Sequence, residues 1–332
     1  GYFNQAGTTI GTGLDRITAK VNLDYTVSRR IKIQTNFTYA HLNQQLNYLS
    51  TIRTVAYNKM PNMSIYSYDI YGNESPNYFS PLSNIQGYYP GTYNPVALAN
   101  NASSHQRGDR ITPSFQLQYA AIPSVLLATF SVQFDINNTG AHTFLPQNAS
   151  GLDLTNVAVN QASASDGDVY DVYTKSNLIY TPRTNNEKHQ FQALLSLQTD
   201  DNKTNAYNVL ATNTASSELQ YPFNPAIATN STATLTSAKS EVRSVGALLQ
   251  AQYGWLDRYI LNAGIRTDGN SRFGPQNRFG FFPSVSTRWR LSGEKFMKKY
   301  KKFIDDLSFR ASYGHSGSAP PNKAVWNYFN TY

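Results

Sequence analysis

Aromatic side chains crowd one segment of the chain, residues 42–110, which carries Tyr48, Tyr57, Tyr66, Tyr68, Tyr71, Tyr78, Phe79, Tyr88, Tyr89 and Tyr93. Aromatic faces stack on sugar rings and on peptide side chains, so Tyr66, Tyr68, Tyr71, Tyr88, Tyr89 and Tyr93 are candidate ligand contacts. The plainer reading is that these rings pack a long loop on itself. A second run, Arg266-Thr267-Asp268-Gly269-Asn270-Ser271-Arg272, sets two arginines around a carboxylate. Asp-Gly suits a turn and guanidinium groups satisfy a carboxylate, so Arg266, Asp268 and Arg272 are expected to hold their own loop together.

Other constellations point to no chemistry. Asp166-Gly167-Asp168, with Asp171 nearby, offers oxygen ligands of the kind calcium prefers, but it lacks the spacing of a calcium loop and is expected to be a solvated turn before a strand. Lys295, Lys298, Lys299, Lys301 and Lys302 form the densest basic cluster in a chain of net charge +8. Phe296, Met297, Tyr300, Phe303, Ile304 and Leu307 interleave with them at the spacing of one helical stripe. An amphipathic helical link over about 293–306 is expected, with Ser292 as N-cap, Glu294 in the first turn and the lysines wet, and no nucleic-acid partner. The 5 histidines (41, 105, 142, 189, 315) are scattered without metal spacing. There is no G-x-S-x-G elbow and no phosphate-cradling glycine loop, so no catalytic residue, metal or cofactor is expected. A glycan hydrolase would need two carboxylates about 5 to 9.5 Å apart. The 20 acidic residues stand mostly near turns, which argues against an enzyme.

The elements that would position these residues are strands. Ile17, Ala19, Val21, Leu23, Tyr25 and Val27 alternate with Thr18, Lys20, Asn22, Asp24 and Thr26, a period of two that marks a strand between unlike surroundings. After Ser28-Arg29-Arg30, Ile31, Ile33, Phe37 and Tyr39 resume the alternation. A strand crossing a bilayer needs about 9–11 residues, and these two segments have that length. The unit recurs at Ile111–Ala121 with Val125–Asp135, and at Tyr170–Tyr180 with Phe191–Leu197. It recurs again at Val245–Tyr253 with Tyr259–Ile265, then at Pro283–Leu291 and Leu307–Tyr313, for about ten strands. Turns within pairs are short, whereas the connections 42–110, 136–168, 200–241 and 267–281 are long. That one-sided asymmetry belongs to an up-and-down barrel with short periplasmic turns and long extracellular loops. Trp255, Tyr253 and Tyr259, beside one short turn, suit an interfacial aromatic girdle.

Composition agrees. Apolar residues make up 40% of the chain, and mean hydropathy is −0.47, as befits strands with one face on a polar lumen. No stretch approaches the apolar length of a transmembrane helix. The chain opens at Gly1 without a leader and ends at Tyr332 without a closing strand, so it is expected to be an internal piece of a larger barrel. The rival is a secreted β-sandwich module for carbohydrate binding or adhesion, which would bury its apolar faces against each other.

Several runs resemble a known family. Arg266-Thr267-Asp268-Gly269-Asn270-Ser271-Arg272-Phe273-Gly274, followed by Gly280-Phe281-Phe282-Pro283-Ser284-Val285-Ser286, is similar to the R-x-D-G-S-S-R-F-G…G-x-F-P-S-x-S run of SusC/RagA-like TonB-dependent outer-membrane transporters. Trp289-Arg290, Glu294-Lys295-Phe296-Met297 and Leu307-Ser308-Phe309-Arg310-Ala311-Ser312-Tyr313-Gly314 match in order and spacing. Gly1–Gln5, Pro61-Asn62-Met63 and Asp69–Asn73 are further similar stretches, while Gly317-Ser318 stands where the family usually has Gly-Asn. The resemblance implies an all-β fold: a transmembrane antiparallel barrel of about 22 strands with a plugged lumen, of which residues 1–332 form part. It implies import of glycans or peptides too large for porins, with a SusD/RagB-like surface lipoprotein as lid. Energy would come from the TonB complex through a plug that this chain does not contain. Outer-membrane lipid would surround the wall.

Overall fold

The computed structural model describes residues 1–48, 52–57, 59, 62–79, 94–150, 159–184, 186, 188–222, 232–274, 278–300 and 303–317. Eleven strands form one antiparallel sheet in chain order. They are β1 (Tyr2–Ala6), β2 (Gly13–Thr26), β3 (Ile31–Leu46), β6 (Ser103–Ile122), β7 (Leu126–Leu145), β8 (Gln161–Tyr180), β9 (His189–Thr212), β10 (Thr232–Trp255), β11 (Tyr259–Asn270), β12 (Phe279–Arg290) and β13 (Ser308–Gly314). A small hairpin, β4 (Tyr66–Tyr68) and β5 (Glu74–Tyr78), stands apart, as do three short helices: α1 (Ile52–Tyr57), α2 (Pro95–Asn101) and α3 (Gln147–Ser150). No helix among the described residues is long and apolar enough to cross a membrane. The sheet holds one strand more than the alternation indicates, because β1, which pairs with β2, is too short to show a period.

Register sorts the side chains onto two faces. Val21 pairs with Phe37, Ile33 with Leu117, Leu195 with Leu249, Leu249 with Ile265 and Trp289 with Phe309, so odd-numbered apolar residues share one face. The frame slips at β7, where Phe115 meets Val132 and Leu117 meets Phe130, and even numbers carry the apolar face. It slips back where Tyr180 of β8 meets Ala193 of β9. This face is bare: Leu23 is 62% exposed, Leu249 54% and Phe309 59%. A sandwich would have buried them against a second sheet, and the other sheet among the described residues, the two-stranded β4–β5 hairpin, leaves them exposed. The other face carries Lys20, Asn36, Gln116, Gln192, Asn262, Arg288 and Arg310. An apolar band outside and a polar lumen inside is the arrangement a bilayer demands.

The strands run well past the apolar band at the long-loop end. The expected connections 42–110, 136–168, 200–241 and 267–281 narrow to 47–102, 146–160, 213–231 and 271–278. Asp166-Gly167-Asp168 is no turn but lies within the β8 ladder, opposite Gly140, Thr139 and Asn138. Just beyond the band both faces carry polar residues, such as Asn138 and Thr139 on β7, so hydrogen-bonded pairing continues after the hydrophobic alternation has ended. The link between β12 and β13 differs too. It forms two 3-10 turns, Leu291–Gly293 and Lys295–Tyr300, rather than an amphipathic α-helix, and Ser292 lies inside the first turn instead of capping a helix. Phe303 is 90% exposed, so no partner holds the apolar stripe, and without one a helix this short is marginal.

At the short-turn end the residues around Trp255 form a ring stack. Trp255 and Tyr259 rings lie 5.4 Å apart, and Tyr259 and Trp289 6.3 Å. Leu256 and Asp257 take positive φ in the tight turn that brings the first two together, and Arg258 N donates to Trp255 O. Tyr259 Oη and Trp289 Nε1 both donate to Glu294 Oε1, at 2.6 and 3.2 Å, and these bonds hold its carboxyl below the usual range. Replacing Leu249 by Arg should cost about 2–4 kcal/mol at the middle of the band, whereas Gln250→Arg should change stability little. Urea unfolding of the full-length protein in vesicles checks this; equal costs at the two positions would contradict the assignment of faces.

Candidate functional site

The connection between β3 and β6 is seated on the lumen side of the sheet. Leu145, whose side of β7 is the polar one, joins Ile52, Ala97, Leu98 and Ala149 in the one buried cluster of the described residues, with Tyr48 and Tyr78 packed against it. Tyr48 Oη also donates to Gln161 Oε1, the residue opposite Leu145, at 3.5 Å. Asn94 organises this unit. Its Oδ1 accepts from Val96 N and Ala97 N at 3.0 and 3.3 Å, capping α2, and Pro95 stands at the first helical position. Its Nδ2 donates to Ile65 O and Phe79 O at 2.8 and 2.9 Å, tying the helix to the β4–β5 hairpin. Sequence reasoning passed over Asn94, although Asn-Pro ahead of an apolar run is a readable helix start.

This scaffold sorts the candidate tyrosines. The Tyr66 ring stacks on Tyr78 at 5.2 Å, and Tyr78 Oη accepts from Asn100 Nδ2 at 2.9 Å, so Tyr66 sits inside the unit. Tyr68 is 57% exposed and Tyr71 83%. Tyr71 is presented by a turn that Asp69 holds: Asp69 Oδ1 accepts from Tyr71 N and Asn73 N, both at 2.8 Å, while Oδ2 accepts from Asn73 Nδ2 at 3.0 Å. Those bonds, the Asn73 side chain first, draw the Asp69 carboxyl below its ordinary range. Gly72 provides the positive φ that closes the turn. Tyr88, Tyr89 and Tyr93 lie outside the described residues. Two exposed aromatic rings on a braced loop can stack on a ligand without moving the wall beneath them.

Arg266 and Asp268 lie within β11 rather than in the loop after it, on the lumen face. Arg266 Nε and Nη2 donate to the two Asp268 oxygens at 2.6 and 2.7 Å. The pair faces Gly246 of β10, where an added Cβ would stand 2.7 Å from Asp268 Oδ1, so a larger residue there would displace the carboxylate. Arg272 takes no part among the described residues: its backbone N bonds Asn270 Oδ1 at 2.9 Å, and its guanidinium Nε has no partner. On β6 and β7, Arg110 grips Asp135 through two bonds of 2.8 and 2.5 Å on the same face. No group of three or more His, Asp or Glu among the described residues is placed to hold a metal ion. Asp268→Ala and Arg266→Ala should each lower stability by about 1–2 kcal/mol, and the double variant should lose no more than either single one. The folded fraction of full-length protein in a heat-modifiability gel checks this; additive losses would show the two side chains act apart.

Comparison with known proteins places these features. The family model described as TonB dependent receptor-like, beta-barrel, matches residues 57–332. TonB-dependent receptor P26 of Formosa agariphila is 27% identical over 332 residues, which cover 96% of this chain and 30% of that receptor. TonB-dependent receptor SusC of Bacteroides thetaiotaomicron is 38% identical over 65 residues, 20% of this chain and 6% of that protein. The RagAB peptide transporter superposes with a TM-score of 0.67 at 18% identity, over 94% of this chain and 34% of that one, a likeness of fold. The chain thus spans about 30% of the length of the long curated match. A sheet with a bare apolar band, a polar lumen face and strands of bilayer length, matched by this model, belongs to the TonB dependent receptor-like β-barrel family of the outer membrane.

Proposed function

We propose that this chain is wall and outer mouth of an energised importer of glycans or peptides too large for porins. The observation that supports the reading is the packing of the β3–β6 connection against Leu145 on the lumen side of β7, with Tyr68 and Tyr71 left exposed; in the proposal these rings border the channel entrance. Residues 1–332 then belong to one barrel domain, whose long connections lie outside the cell and whose short turns, with the link between β12 and β13, face the periplasm. A SusD/RagB-like surface lipoprotein would cover the mouth, and the TonB complex would act through a plug in the lumen. The name of one structural relative, the RagAB peptide transporter, supports import of peptides, and the name of SusC supports a TonB-dependent receptor; glycan cargo belongs to the proposal.

Capture at such a mouth calls for weak, distributed contacts, because the transporter must release what it holds. Stacking on Tyr68, Tyr71, Tyr88, Tyr89 and Tyr93, aided by Asn and Ser side chains, provides contacts of that size, while Tyr66 packs the unit beneath them. In the full-length protein Tyr68→Ala with Tyr71→Ala should weaken ligand capture several-fold while barrel abundance in the membrane stays the same. Capture that survives deletion of residues 64–79 would place the ligand elsewhere. Orientation has its own test. Cysteine at Tyr71 should react with an impermeant thiol reagent on intact cells and cysteine at Arg29, in the β2–β3 turn, should not; the reverse would invert the topology.

A further inference from the structure

The outward face carries a second concavity, separate from the lumen. It lies on the central strands β3, β6, β7 and β8, in the cross-strand rows Asn43–Arg107–Gly140–Asp166 and His105–His142–Ala164. Register places these residues on the same face as Phe115, Phe130 and Leu178, but beyond the apolar band. Ile136 is the last apolar outward residue of the band on β7; beyond it the outward positions are Asn138, Gly140 and His142, and then Phe144, which is buried. At about 3.4 Å per residue and a tilt of about 40°, Gly140 stands about 10 Å above Ile136 and His142 about 15 Å. The groove has a volume of about 550 Å³, within the usual range of ligand sites.

The β9–β10 connection forms its roof. Asn160 Nδ2 donates to Thr214 O and Thr214 N to Asn160 O, which folds residues 213–222 back over the outer wall. There the Tyr221 ring stacks on His142, centroids 4.1 Å apart, and His142 Nε2 donates to Gln220 O at 2.6 Å. One face of Tyr221 is braced by the imidazole, yet the residue is 70% exposed, so its other face is free. Gly140 forms the floor: an added Cβ would lie 3.6 Å from Arg107 Nε and 3.9 Å from Asp166 Oδ1, in ordinary contact. Among the described residues the side chains of Asn43, His105, Arg107 and Asp166 make no hydrogen bond to protein.

A guanidinium, a carboxylate, an amide and an imidazole around one free aromatic face form a donor and acceptor set that matches the vicinal hydroxyls and C–H face of a pyranose. Arg107 and Asp166 stand in one cross-strand row, so the site carries both signs of charge rather than the cationic cluster a bare anion needs, and the apolar band stops short of it, so it is not built for an acyl chain. We infer that this groove binds the sugar chain of a glycan at the outer surface of the wall, outside the transport path. Its height above the band is where sugars of an outer-leaflet glycolipid stand, although free oligosaccharide offers the same chemistry. The placement rests on the orientation proposed above; the site itself does not depend on import.

The test uses purified full-length receptor and native mass spectrometry with four probes: lipooligosaccharide, its delipidated core oligosaccharide, lipid A and maltohexaose. Binding of the core oligosaccharide with lipooligosaccharide supports the glycolipid source, and binding of maltohexaose supports the free one. In either case Tyr221→Ala should weaken binding about tenfold, and Gly140→Val, which fills the floor without a backbone clash, should do the same. Import by both variants should match the unaltered protein, which separates failure of this inference from failure of the importer reading. Binding of lipid A alone, binding of no probe, or sugar binding unchanged in both variants would overturn the inference.

Discussion

Every backbone N–H and C=O inside a bilayer must find its partner within the protein, and the rest of this structure follows from that demand. A helix could meet it, but no described helix has the length. The continuous ladder from β1 to β13 meets it between strands instead. Once pairing is antiparallel and neighbour-to-neighbour, side chains alternate by necessity, and lipid on one side with water on the other dictates which alternate is apolar. The tight turn at Leu256–Asp257 and the aromatic stack with Glu294 then mark where β11 begins and β12 ends.

This explains which parts were legible in the amino-acid order. Ile17–Val27 and Ile31–His41 announce themselves because their two faces meet unlike solvents. The distal halves of β8 and β9 do not, since both faces there are wet and polar residues such as Asp166 and Asp168 serve equally on either. Their pairing is held by backbone hydrogen bonds that leave no trace in hydropathy. The link after β12 misled for the opposite reason. Its apolar residues fall at helical spacing, but spacing stabilises a helix only when something covers the stripe, and Phe303 stays open to solvent.

The candidate site was half readable. A tyrosine-rich connection is evident from composition, and an aspartate between two arginines from spacing. That Tyr66 is a packing residue while Tyr71 is displayed depends on Tyr78, Asn94 and Asp69, which act across turns and helices that no local pattern ties together. Likewise, Arg266 reaches Asp268 along one strand face as an i, i+2 pair, whereas Arg272, after the chain has turned, makes no bond to that carboxylate.

The double slip of frame around β7 and β8 has a bearing on how such walls can be rearranged. These two strands read their outward residues from even positions while their neighbours read odd ones, so they form a cassette bounded by two compensating offsets. A chimera that exchanges both offsets together keeps every later strand in phase. One cut between β7 and β8, joined to a partner without an offset, would turn all downstream strands inside out, presenting glutamines and arginines to lipid. Recombination within this barrel is therefore governed by parity, much as splicing of exons is governed by reading phase.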